Sequence, residues 1–151
     1  MKIRIDIDET RTEEEIIIRG KSFDEKLMRM QKMIANLYEK DEKIVLYKGD
    51  TTYYIPVGDI LFFETEGASI YAHTIAEVYH TKYRLYELEG LLSGDFMRVS
   101  KATILNLAKV YSVTKTLTSS GTAEFKGTHK QTYISRYYFK ALQQRLEEMR
   151  R

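Results

Sequence analysis

The sequence has no cysteine, which excludes disulfides, thiolate metal sites, zinc fingers and a cysteine nucleophile, and suits a reducing compartment. Long apolar runs are also missing. The opening Met1-Lys2-Ile3-Arg4-Ile5-Asp6-Ile7-Asp8 alternates polar with apolar residues, unlike a signal h-region or a membrane span, so a cytoplasmic location is expected. The eight glycines stand singly, which leaves no glycine-rich phosphate loop and no nucleophile elbow. His73, His80 and His129 lack a metal-ligand spacing. Glu64 and Glu66 share one side of an extended chain and could in principle act as acid and base, but no further reactive group assembles around them. No enzymatic activity, cofactor, metal or small-molecule substrate is therefore expected.

What is present is an ordinary packed composition, 43% hydrophobic and 30% charged over 151 residues, the size of one domain with a modest extension. The net charge of +2 is unevenly spread. Residues 1–95 hold 13 Lys and Arg against 19 Asp and Glu, whereas residues 96–151 hold 11 against 3. A basic last third is the footprint that a phosphate backbone attracts, although a solvated basic surface has the same composition.

Residues 1–43 read as strand, strand, helix. Ile3, Ile5 and Ile7 alternate over Lys2–Asp8, and Glu15–Arg19 carries three consecutive Ile. Ser22 and Glu25 have the spacing of a capping box before a helix over Phe23–Lys40. Its apolar residues Phe23, Leu27, Met30, Ile34 and Leu37 recur at steps of four, three, four and three, which suits packing on the two strands or a pairing surface. After the charged break Asp41-Glu42-Lys43 the chain becomes rich in aromatic and β-branched residues. Strands are expected over 44–48, 52–56, 60–64, 70–75, 77–81, 96–99, 110–116 and 122–125. Helices are expected over Arg84–Leu92 and Arg136–Met149, each with one apolar face.

Three ordered blocks carry a family resemblance. They are Asp59-Ile60-Leu61-Phe62-Phe63-Glu64-Thr65-Glu66-Gly67, then Asp95-Phe96-Met97-Arg98-Val99-Ser100-Lys101-Ala102-Thr103-Ile104-Leu105-Asn106-Leu107, then Tyr133-Ile134-Ser135-Arg136-Tyr137-Tyr138. Together they resemble the LytTR DNA-binding domain, and the resemblance spans about residues 44–151. It implies a mainly β fold, an elongated antiparallel sheet with two short helices, preceded here by a small β-β-α segment in residues 1–43. It also implies sequence-specific binding of double-stranded DNA, with loops rather than a recognition helix entering major grooves at paired direct-repeat sites. Forty-three residues are too few for a receiver domain. The chain thus resembles the stand-alone LytTR regulators, some of which are controlled by a membrane-protein partner, and a homodimer on DNA is expected.

For individual residues, Arg136 follows Ser135 at an expected helix start, where the helix dipole disfavours a cation unless a phosphate or a guanine edge balances it. Ser135 is expected to cap that helix. Ser100 and Lys101 form a polar pair between apolar runs, a turn expected to project both side chains toward DNA. Ser69, in the loop Gly67-Ala68-Ser69, is the third candidate, and its small size limits direct base reading. Lys126, His129 and Lys130 make a basic turn that supplies phosphate contacts, with Lys126 and Lys130 the named candidates, or is equally a solvated hairpin. Arg98 and Asn106 also match the family, with structural roles equally expected: Arg98 pairing with Glu64, Asn106 satisfying turn amides. The competing function is a protein-interaction module whose basic tail is incidental.

Overall fold

The computed structural model describes residues 1–39, 42–92 and 94–150, and the chain divides into two compact units, Met1–Leu37 and Tyr38–Arg151.

All but the last two residues of helix α1 (Glu25–Glu39) belong to the first unit. Asp24 starts it, not Ser22: its carboxylate accepts the Leu27 amide at 3.0 Å and its carbonyl the Met28 amide at 3.0 Å. A charged acceptor at this position binds the first-turn amides more strongly than a hydroxyl and complements the helix dipole. The expected helix end at Lys40 and the Asp41 of the charged break lie outside the described residues. The two expected strands are not formed, since no described residue before α1 belongs to a strand. Alternation provides an apolar face but no ladder partner, and the isoleucine run that could have supplied one is engaged by the start of α1. Ile3, Ile5 and Ile7 accordingly stay 87%, 82% and 84% exposed. The start of α1 instead meets the isoleucine run, because Ile16, Ile18, Phe23, Leu27 and Gln31 line one groove.

The second unit is mainly β. Its strands are β1 (Lys43–Lys48), β2 (Thr51–Pro56), β3 (Phe62–Glu66), β4 (Ser69–His73), β5 (Val78–Thr81), β6 (Phe96–Ser100), β7 (Thr103–Asn106), β8 (Val110–Lys115), β9 (Gly121–Phe125) and β10 (Gln131–Ile134). Helix α2 (Leu85–Leu91) lies between β5 and β6, and α3 (Arg136–Arg150) follows β10. Seven strands form one sheet in the order β2-β1-β5-β4-β3-β7-β6, and three form another in the order β10-β9-β8. Every assigned pairing is antiparallel.

The larger sheet is covered on both faces, and consecutive residues of its central strands divide between two cores. Phe62 and Leu105 join Leu61, Val99, Phe125, Ile134, Phe139 and Leu142 of the smaller sheet's side. Phe63 and Ile104 join Ile44, Leu46, Tyr79, Leu85 and Leu88 on the side of α2. This explains why Ile60-Leu61-Phe62-Phe63 and Thr103-Ile104-Leu105 are continuous apolar runs rather than alternating ones. It also explains why β7, with all four residues buried, carries no alternation by which to recognise it.

Candidate nucleic-acid interface

Three of the segments singled out in the sequence meet at one end of the larger sheet. β3 and β4 are joined by Gly67-Ala68, with Glu66 opposite Ser69. Gly67 takes φ +63°, a conformation that glycine adopts without strain at the first position of a tight hairpin turn. β6 and β7 are joined by Lys101-Ala102, and the Thr65 amide donates to the Ala102 carbonyl at 2.8 Å, tying this turn to the first hairpin. The β6 register slips between Arg98 and Ser100, leaving Val99 outside the ladder. The Val99 carbonyl then accepts the Ser135 amide at 2.9 Å, which fixes the start of α3 beside the turn. Bulges commonly redirect a strand end in this way.

Arg98 holds the β6–β7 turn from within. Its Nε donates to the Ser100 carbonyl at 2.8 Å, its Nη2 to the Lys101 carbonyl at 2.6 Å, and its Nη1 pairs with Glu89 of α2. Glu64, the partner expected from sequence, is not used; burial and neighbouring Glu66 instead push its carboxyl above the usual range. Asn106 has the expected structural role, with Oδ1 accepting the Ala108 amide at 3.1 Å and Nδ2 donating to the Ile60 carbonyl at 2.9 Å.

The polar pair divides. Lys101 is exposed, but Ser100 is only 7% exposed and its Oγ accepts the Ala102 amide at 3.2 Å. The bulge turns Ser100 inward as a support of the turn, so the expected outward projection of both side chains holds for lysine alone. Ser69 is half-buried at the start of β4. Arg136 is exposed and opens α3. Ser135 precedes the helix as expected, yet its Oγ is buried without a hydrogen-bond partner, so it does not cap the first amides. Among the described residues neither Lys101 nor Arg136 has a carboxylate partner. Tyr133 and Tyr137, 57% and 85% exposed, flank Arg136 along the chain. Neither is among the candidates above, although tyrosines beside a Ser-Arg helix start are a signal present in the sequence.

Lys126 and Lys130 are not brought to this end. β9 and β10 pair Ile134 with Gly121 near Ser135 and Gln131 with Glu124 at the other end. The Lys126–Lys130 turn therefore lies about 15 Å from the start of α3, four to five extended residues away. Lys126 Nζ donates to the Ala108 carbonyl at 3.4 Å. Lys130 Nζ donates to the carbonyls of Thr74 at 2.9 Å and Glu77 at 3.1 Å, and lies 3.4 Å from His73 Nδ1. Lys130 thus joins the smaller sheet to the β4–β5 connection. Lys130→Met should lower stability by about 1–3 kcal/mol by leaving the Thr74 carbonyl without its donor, while the Glu77 carbonyl keeps the Thr74 amide at 3.0 Å. Site preference on DNA should stay the same. Urea unfolding and a binding titration read the two effects separately, and a normal midpoint with weakened binding would make Lys130 a phosphate contact instead.

His73 gives the same region a pH dependence. It stacks on Phe62 with centroids 4.3 Å apart; burial, and secondarily the Lys130 charge, lower its pKa to about 4. The folded state thus favours neutral imidazole. This stabilisation is complete above the ordinary histidine value near 6.5 and is lost progressively as pH falls toward 4, costing about 2 kcal/mol in total once solvent screening of the half-buried ring is allowed for. Thermal unfolding between pH 6.5 and 5, above the carboxylate range, should show the decline. His73→Phe keeps the stacking and should flatten that segment; an unaltered slope would assign it to another group.

Known proteins resemble this chain in sequence and in fold. Residues 50–147 match the family model of the LytTr DNA-binding domain. The chain is 30% identical over 148 residues to an uncharacterised HTH-type transcriptional regulator of Staphylococcus aureus strain NCTC 8325 / PS 47, covering 97% of this chain and 98% of that one. A counterpart in the bovine strain RF122 / ET3-1 is 29% identical over 149 residues, with the same coverage of 97% and 98%. Among the described residues of this chain strands separate every two consecutive α-helices, so the helix-turn-helix of those names has no equivalent here. The fold is also that of the LytTr DNA-binding domain of a methyl-accepting/DNA response regulator from Bacillus cereus, with a TM-score of 0.63 at 20% identity over 68% of this chain and 97% of that one. With the family model matched across most of the second unit and relatives aligned along nearly the whole chain, this protein belongs to the LytTR family and is a DNA-binding transcription regulator.

Proposed function

We propose that the chain reads specific double-stranded DNA sites with the sheet end formed by the β3–β4 turn, the β6–β7 turn and the start of α3. The observation that carries this reading is the pair of exposed cations, Lys101 and Arg136, which have no carboxylate partner among the described residues and stand on the β6–β7 turn and the start of α3, the latter tied to β6 by the Ser135 amide on the Val99 carbonyl at 2.9 Å and the former to β3 by the Thr65 amide on the Ala102 carbonyl at 2.8 Å. A turn fixed on a sheet holds its side chain in register with a groove, as base reading requires. In this reading Arg136 grips a guanine or an adjacent phosphate, Lys101 contacts a phosphate or a guanine, and Ser69 sets how closely the first hairpin approaches. Ser100 shapes the turn behind Lys101. Lys126 belongs to a separate basic patch that can only position.

Two copies engage direct-repeat sites in the cytoplasm, without catalysing a reaction, and a membrane protein is the candidate controlling partner. Affinity for a selected duplex and for a mixed-sequence duplex, each measured across a salt series, tests the reading. Steep salt dependence on both, with tighter binding to the selected site, is expected from counterion release superimposed on base contacts. Negligible binding to either duplex at low salt would turn the second unit into a protein-interaction module.

A further inference from the structure

We infer that Lys2–Asp8 forms an antiparallel ribbon with the same segment of a second copy, centred on Ile5. Three large isoleucines in this segment are more than four-fifths exposed, and no described residue of the first unit pairs with it in a strand. In an extended chain Ile3, Ile5 and Ile7 share one face, while Lys2, Arg4, Asp6 and Asp8 share the other.

The sequence of those two faces selects the partner. Turned about Ile5 and laid antiparallel on itself, the segment places Lys2 opposite Asp8, Arg4 opposite Asp6, Ile3 opposite Ile7 and Ile5 opposite Ile5. Every pair on the charged face is then of opposite sign, and every pair on the other face is isoleucine with isoleucine, both favourable across a ladder. A slip of one residue sets charges against isoleucines and mixes the faces. A slip of two sets Arg4 against Arg4 or Asp6 against Asp6, and parallel pairing sets all four charges against their own kind. The segment is thus self-complementary in one register only, which is the property of an isologous two-fold contact.

This deepens the paired binding proposed above by placing the contact between copies on residues 2–8, apart from the loops assigned to DNA. It can be tested on the full chain without DNA, because the protein has no cysteine of its own. Directly opposed Cβ atoms in an antiparallel pair come close enough for a disulfide. Under mild oxidation Ile5→Cys should be captured largely as a linked dimer. Ile3→Cys and Ile7→Cys should link poorly alone and efficiently when mixed. Linking of Ile3→Cys with itself as readily as Ile5→Cys, or linking of Ile5→Cys no faster than of an Asp50→Cys surface control, would overturn the register.

A second measurement uses charge. Arg4→Asp and Asp6→Arg each replace two attractive pairs with two repulsive ones and should weaken dimerisation in sedimentation equilibrium about tenfold. Mixing the two variants should restore it. Unchanged dimerisation in either single variant, or a wild-type chain that stays monomeric at tens of micromolar, would refute the contact. Site-specific DNA binding that survives such a result leaves the proposed function standing; its loss in the presence of an intact linked dimer does the opposite.

Discussion

Replacing Gly121 with alanine is expected to destabilise the second unit by about 3 kcal/mol or more, the upper range for forcing an atom into a packed interior. The new Cβ would lie 2.3 Å from the Thr114 carbonyl oxygen and 2.4 Å from Cε2 of Phe139. The carbonyl belongs to β8, and Gly121 is already paired on both sides, with Lys115 of β8 and Ile134 of β10, so the backbone has little freedom to retreat. Phe139 is a buried residue of α3. The notch left by the missing side chain is therefore what lets the helix seat against the smaller sheet, and the direction of Arg136 depends on it. Gly90→Ala supplies the control. Gly90 lies within α2 with nothing within 4 Å of its Cβ position, and alanine there should stabilise by about 0.5–1 kcal/mol through helix propensity. Urea unfolding of both variants checks the pair of signs. A Gly121→Ala protein as stable as the wild type would mean that α3 can move away from β9, and that the start of α3 is not positioned by this contact.

Much of this fold is legible in the sequence, and the failures have separate causes. Strands with one open face, such as β2, or bounded by clear turns, such as β1, declare themselves by composition and alternation. β7 is hidden because both of its faces are covered, and β10 because it buries Thr132 and exposes Tyr133, which leaves no apolar alternation to recognise. The reverse error occurs in Lys2–Asp8, where perfect alternation exists without a partner inside the unit. Pattern specifies a face; pairing requires a second strand that the same pattern cannot supply. The site divides along a similar line. The exposed positions of Arg136 and Lys101, at a helix start and in a turn, are legible because they are local properties. The contacts of Lys130 are not legible because the carbonyls it binds lie 56 and 53 residues away, nor is the inward side of Ser100, which a bulge sets. Arg98 finds Glu89 on α2 rather than Glu64 for the same reason: a helix packed over a sheet brings together residues that no spacing rule connects.

Arg136→Ala is the variant with the largest expected effect on recognition. A lost bidentate contact to guanine should weaken the cognate complex by about 1–3 kcal/mol, roughly 5- to 150-fold, with far less change on random duplex. The structure sharpens the expectation for the free protein. Arg136 is exposed, has no carboxylate partner among the described residues, and opens a 15-residue helix whose preceding Ser135 hydroxyl makes no capping hydrogen bond. A cation there faces the positive end of the helix dipole without compensation, so its removal should leave stability unchanged or raise it by a few tenths of a kcal/mol. Arg136→Lys separates charge from geometry: lysine keeps the attraction to phosphate but lacks the planar fork. If a guanine is read, the lysine variant should hold random DNA normally and still lose preference for the cognate site. If a phosphate is held instead, it should bind both nearly as well as the wild type. An alanine variant that melts earlier yet discriminates normally would show that the arginine serves the fold and that site reading lies elsewhere on this sheet end.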